Sequence, residues 1–156
     1  MSRNGGAATR PPLVLRCAAL AAVAALAVGC GGNEAAERDV RKTLNTYFGA
    51  LSDRDFATAC AQVSPSFEET LARFAERSFP DLATTECEPI ATRIAEVNGD
   101  RLVGLQDRVR VRSVEVDGDR ATAGLGPGQS ARLARDDEDW LIDELDFSGA
   151  TGTTNG

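Results

Sequence analysis

The reactive side chains of this chain are few: cysteines at positions 17, 30, 60 and 87, a single tyrosine at 47, the carboxylates Asp53 and Asp55 close behind it, and the run Asp136-Asp137-Glu138-Asp139. Histidine is absent, so a Ser-His-Asp triad, a Cys-His pair and histidine-ligated zinc cannot be built from this chain. Acid–base work would fall to Tyr47 with Asp53 or Asp55. Each has a plainer reading. Tyr47 lies on an apolar stripe, where a core aromatic is the ordinary outcome, and the two aspartates stand at a helix start, where carboxylates bond free amides. Tyr47 and Asp55 are therefore only weak catalytic candidates, and no catalytic residue is assigned. The acidic run offers hard oxygen ligands but lacks the alternating spacing and central glycine of a calcium loop, so it reads as a solvated turn; no metal and no cofactor are expected. Arg108, Arg110 and Arg112 read as a basic strand face that meets carboxylates across the sheet.

The first thirty residues stand apart from the rest of the chain. Arg3, Arg10 and Arg16 supply positive charge without any acid, Cys17 to Val28 is apolar, and Gly29-Cys30 follows. The apolar run is too short to cross a bilayer, which takes roughly 20 residues. The stretch Leu26-Ala27-Val28-Gly29-Cys30 resembles the lipobox of bacterial lipoprotein precursors, with Ala27 where leucine is usual. That resemblance implies cleavage of a signal peptide, residues 1–29, before a diacylglyceryl-modified Cys30; a plain secretory signal is the alternative. Two acyl chains hold a protein stably where one does not, each buried methylene adding roughly 0.8 kcal/mol. The expected location is thus the cell membrane, lipid-anchored and facing the extracytoplasmic side. Residues 30–33 are expected to form the lipidated cysteine and a flexible tether, and 148–156, built of Ser, Gly, Ala, Thr and Asn, a disordered tail.

Cleavage would leave fourteen basic residues against twenty-four acidic ones, a net charge of −10. Nucleic-acid binding is excluded on that balance, since a phosphate backbone needs clustered Lys and Arg. Sixteen arginines against one lysine point to a GC-rich genome, as in actinobacteria. With Cys17 discarded and Cys30 acylated, Cys60 and Cys87 remain in a compartment where disulfides persist. They are expected to pair, which stabilises a loop of this length by about 3–4 kcal/mol; two buried thiols are the alternative. The spacing is not that of a redox-active Cys-x-x-Cys pair.

Residues 34–147 suit one domain. Val40, Leu44, Tyr47, Phe48 and Leu51 recur at helical spacing over Glu34 to Leu51. Ser52 with Asp55 forms a capping-box pattern ahead of a short helix carrying Phe56, Ala59, Cys60 and Val63. Ser64-Pro65 breaks it, Ser66 with Glu69 can cap the next, and Phe67, Leu71 and Phe74 mark that helix's buried side, with Phe79-Pro80 ending it. Thr85 with Glu88 offers a third cap before Cys87, Ile90, Ile94 and Val97, and Asn98-Gly99 stops this helix. Beyond Gly99 the period turns to alternation. Val109 and Val111 predict a strand, Asp117-Gly118 a two-residue hairpin with Glu115 opposite Arg120 and Val114 opposite Ala121, and Ala121 to Leu125 its partner. Val109 and Val111 are out of phase with Val114 and Val116, which calls for a bulge or bend near Arg112-Ser113. Strands follow at Ala131-Leu133 and Trp140–Phe147. The fold class is α+β, with N-terminal helices packed on a curved antiparallel four-stranded sheet.

Val40 to Leu51 followed by Ser52-Asp53-Arg54-Asp55-Phe56-Ala57-Thr58-Ala59-Cys60 resembles the opening of nuclear transport factor two-like (SnoaL-like) domains, with Arg54 where those have glycine. Arg132-Leu133-Ala134-Arg135 and Trp140-Leu141-Ile142-Asp143 resemble the last hairpin of small secreted members found on bacterial lipoproteins. The resemblance covers about Glu34 to Phe147 and implies a cone-shaped fold with a pocket between helix and sheet. Candidate lining residues are Tyr47, Phe48, Phe56, Phe67, Phe74 and Trp140, which either fill that space or surround a ligand cavity. The expected function is a non-catalytic domain that binds an envelope protein or a small apolar ligand; the alternative is a small isomerase- or cyclase-like enzyme using Asp and Tyr.

Overall fold

A computed structural model describes residues 31–99 and 104–148. The leader, Cys17, Cys30 and the tail from residue 149 lie outside the described residues. Helix α1 (Gly31–Asp53) presents Val40, Leu44 and Phe48, none more than 1% exposed, along one stripe. It already includes Gly31-Gly32-Asn33, ahead of the apolar pattern, as a helical turn where a flexible tether is expected. Glu34 in that turn and the strong helix formers Ala35 and Ala36 favour the extension.

The end of α1 is set by Arg54, whose backbone is left-handed (φ 59°), with the Asp55 amide bonding the Ala50 carbonyl at 2.8 Å. This is the seat that helices commonly give to glycine, and a residue with a Cβ there costs roughly 1–2 kcal/mol. Helix α2 (Phe56–Cys60) is capped by Asp55 itself, which accepts from the Thr58 amide at 3.1 Å; Ser52 instead donates to the Phe48 carbonyl. Helix α3 (Pro65–Ser78) is capped by Ser64, not Ser66: Ser64 Oγ accepts from the Phe67 amide, and Pro65 fills the first helical position, where a missing N–H loses nothing. The buried face of α3 carries Ala72 and Ala75, whereas Phe74 is 42% exposed, a departure from its expected core position. Helix α4 (Cys87–Asn98) has Glu86 at its N-cap without a side-chain bond, so the expected Thr85 box does not form. Gly99, at φ 55°, stops it as expected.

After the four-residue helix α5 (Leu105–Arg108), residues 109–112 are extended but unpaired as a strand. The phase conflict between Val109-Val111 and Val114-Val116 is resolved by starting the sheet only at Ser113. Arg108, Arg110 and Arg112 consequently do not form a strand face. The sheet is an antiparallel meander in the order β1 (Ser113–Asp117), β2 (Arg120–Gly126), β3 (Gln129–Asp136), β4 (Asp139–Asp146). The first hairpin turns on Gly118-Asp119, two places from the expected register, pairing Asp117 with Arg120 and Val114 with Ala123. Only Gly118 has positive φ, as a turn with glycine in its first central position requires; a type I′ turn needs both. The shift of two preserves the faces, so apolar still meets apolar.

Val114, Ala121, Ala123, Leu125, Ala131, Leu133, Trp140 and Ile142 point inward and join Val40, Leu44 and Phe48 in one core. Thr43 crosses it by donating to the Trp140 carbonyl at 3.0 Å. A second, smaller cluster of Ala72, Ala75 and Ile90 lies between α3 and α4. Ser64→Ala should lower stability by about 1 kcal/mol through loss of the α3 cap, whereas Thr85→Ala should stay within about 0.5 kcal/mol; urea midpoints at unchanged slope distinguish them.

Candidate functional site

Two neighbouring features flank α3. The first is a groove of about 700 Å³ between α3 and α4, with the disulfide-bonded Cys60 and Cys87 in its wall. The bond ties the last residue of α2 to the first residue of α4, across 27 positions of sequence. Leu82 and Pro89 add apolar surface, while Glu68, Glu86, Glu88 and Glu96 make the lining strongly acidic. Arg93 is the lining's one cation; it reaches Glu96 at 3.1 Å and Asp81 at 3.6 Å and rests 5.7 Å from the Phe79 ring centre.

The second feature is a polar knot where α3 begins. Gln62 and Ser64 bond the backbone of Ile142 as a short parallel bridge along β4. One residue further, Asp143 is the extra residue of a bulge, because Arg132 pairs with Glu144 while Leu133 pairs with Ile142. The bulge turns the Asp143 carboxylate toward α3, where it accepts from Ser64 Oγ at 2.9 Å and from Ser66 Oγ. Those two hydroxyls, with Arg120 and Arg132 adding by charge, hold its carboxyl below the usual range. Ser64 thus bonds both the helix it caps and the sheet beneath it. The Ser64-Pro65 pair signals a helix start in the sequence, but nothing in the alternation around Asp143 announces the bulge.

The residues singled out from the sequence scatter. Tyr47 is half-buried with its ring edge-on to Phe48 and Phe67, at centroid distances of 5.3 and 6.5 Å. Desolvation pushes its hydroxyl up to about 12, so it keeps its proton at neutral pH. Asp55 is exposed, and its bond to Thr58 holds the carboxyl below its ordinary value. Neither lines the groove. Phe48 and Trp140 are sealed in the main core, Phe67 packs against it, Phe56 is half-buried, and Phe74 stacks edge-on against Phe79 at the surface. Phe48, Trp140 and Phe67 thus share the main core, whereas Phe74 stands apart from it beside Phe79. Asp136 and Asp139 close the β3–β4 turn, where Arg135 donates to the Asp137 carbonyl. Among the described residues no group of three or more Asp, Glu, Cys or His side chains is arranged to hold a metal.

Comparison with protein-family models, with curated proteins and with solved structures returns no match.

The lowered Asp143 pKa has a sign that can be measured. A depressed folded-state value contributes stability above the unfolded value of about 4 and loses it as pH falls through the folded value. Asp143→Asn should therefore be less stable than the wild type at pH 7, with the gap narrowing below about pH 4 in urea titrations.

Proposed function

We propose that this chain is a lipid-anchored extracytoplasmic protein whose domain, residues 34–147, binds a partner of the cell envelope or a small apolar ligand without transforming it. The observation that carries this reading is the Cys60–Cys87 disulfide, since such bonds persist outside the cytoplasm and are rare within it. No helix among the described residues is long and apolar enough to cross a membrane. In this reading the membrane is held by the thiol of Cys30, which follows the short apolar leader. The four-stranded meander with α1 laid on its inner face supports the further reading of a nuclear transport factor two-like, cone-shaped domain.

Absence of catalysis is favoured by the states of the two best candidates. Tyr47 is packed edge-on between Phe48 and Phe67, away from the groove, and Asp55 is occupied as a helix cap. An envelope protein fits better than an apolar ligand held between α1 and the sheet, because Phe48 and Trp140 already fill that interface.

The anchor is tested by feeding an alkyne fatty acid to the producing bacterium. Wild type should take up label and fractionate with membranes, and Cys30→Ser should do neither. An unlabelled wild-type protein that accumulates inside cells overturns the proposal.

A further inference from the structure

We propose that the Cys60–Cys87 disulfide is a reducible latch: a neutral or cationic thiol entering the groove opens it by attack at Cys60, and α4 then parts from the main core while α1 and the sheet stay folded. The first support is the division of the core. Cys87 is the one residue of α4 among the buried members of the main cluster, and Ile90 packs with Ala72 and Ala75 of α3 in the separate small cluster. Once the sulfur link is cut, α4 keeps its contacts with α3 but loses its cross-link to the body, where the Arg54 side chain still donates to the Gly99 carbonyl at 3.5 Å. Gly99 at its far end, with a left-handed backbone, is where the helix already stops.

The second support is access. Both cysteines belong to the groove wall, and Cys60 is half-buried while Cys87 is only 9% exposed, which makes Cys60 the more open side of the bond. The departing group also favours this direction. Cys87 opens a twelve-residue helix, whose positive end favours a thiolate, although Pro89 supplies no amide, the Ile90 amide is bonded to the Glu86 carbonyl, and Glu86 and Glu88 oppose it by charge. Cys60 closes α2 and sits at no such positive end. The lining carboxylates set which reagent enters. Four glutamates against Arg93, itself bonded to Glu96, repel anionic thiols and attract cationic ones.

The chemistry balances with a dithiol as reductant. Its thiolate attacks Sγ of Cys60, a mixed disulfide forms there, and the Cys87 thiolate leaves and takes up a proton. The second thiol of the reagent then attacks the mixed disulfide, freeing Cys60 as a thiol and closing the reagent to its own disulfide. Two electrons and two protons pass from reagent to protein.

The test uses the full chain in its oxidised form, with cysteamine as a cationic monothiol and dithiothreitol as the dithiol, both without denaturant. Peptide mapping should find the cysteamine adduct on Cys60. After dithiothreitol, hydrogen exchange should rise about tenfold or more over residues 79–98 while residues 40–50 and 113–146 stay within about twofold of the oxidised protein. A double variant, Cys60→Ser with Cys87→Ser, should reproduce the regional pattern. An adduct on Cys87, a disulfide that resists reduction in native buffer, unchanged exchange in α4, or exchange rising across the sheet each overturns the latch.

Discussion

Burial of one stripe of α1 against the inner face of the sheet is the constraint from which the other features follow. Val40, Leu44 and Phe48 fill the space over Ala121, Ala123, Ala131 and Leu133. Small alanines on the two central strands leave room for a large helix residue, so the close approach is written into side-chain volume on both sides of the contact. Once α1 is seated, its end at Arg54 fixes where α2 begins, and α2 delivers Cys60 to the place where α4 starts. Thr43 adds a directional term by reaching the Trp140 carbonyl, which orients the helix relative to β4.

The two helices of the α3–α4 layer are attached to this body differently. Helix α3 packs Phe67 and Leu71 against the main core and is tied by the Ser64–Asp143 bond, whereas the buried tie of α4 to that core is Cys87 with its disulfide. Between the helices lie Ala72, Ala75 and Ile90, with Leu71, Phe79, Leu82 and Ile94 partly buried around them. Both ties sit at helix ends, where a single contact orients a whole element. Of the two helices, α4 has less to lose by moving.

Much of the architecture is legible in the residues alone, and the failures share one cause. The stripe of α1, the stop at Gly99, the four strands and the Cys60–Cys87 pair follow from apolar spacing, turn residues and cysteine count. Capping boxes at Ser52, Ser66 and Thr85 do not form, because each pattern competes with a neighbour: Asp55 and Ser64 are better placed by one turn of geometry that spacing does not report. The hairpin register shifts by two for a similar reason, since Gly118 suits the first seat of the turn better than the second. Of the candidate site, the cysteines were legible; the groove beside them was not, because Glu68 and Glu96 come from helices whose relative placement depends on the tertiary fold. Alternation with Trp140 and Ile142 inward carries no sign of the bulge that turns Asp143 toward α3.

The length of α1 has a mechanical meaning. Its 23 described residues make a rod about 34 Å long, and its fully buried stripe starts at Val40. A pull or twist on the first turns therefore reaches the body through continuous helix, with no flexible joint to absorb it.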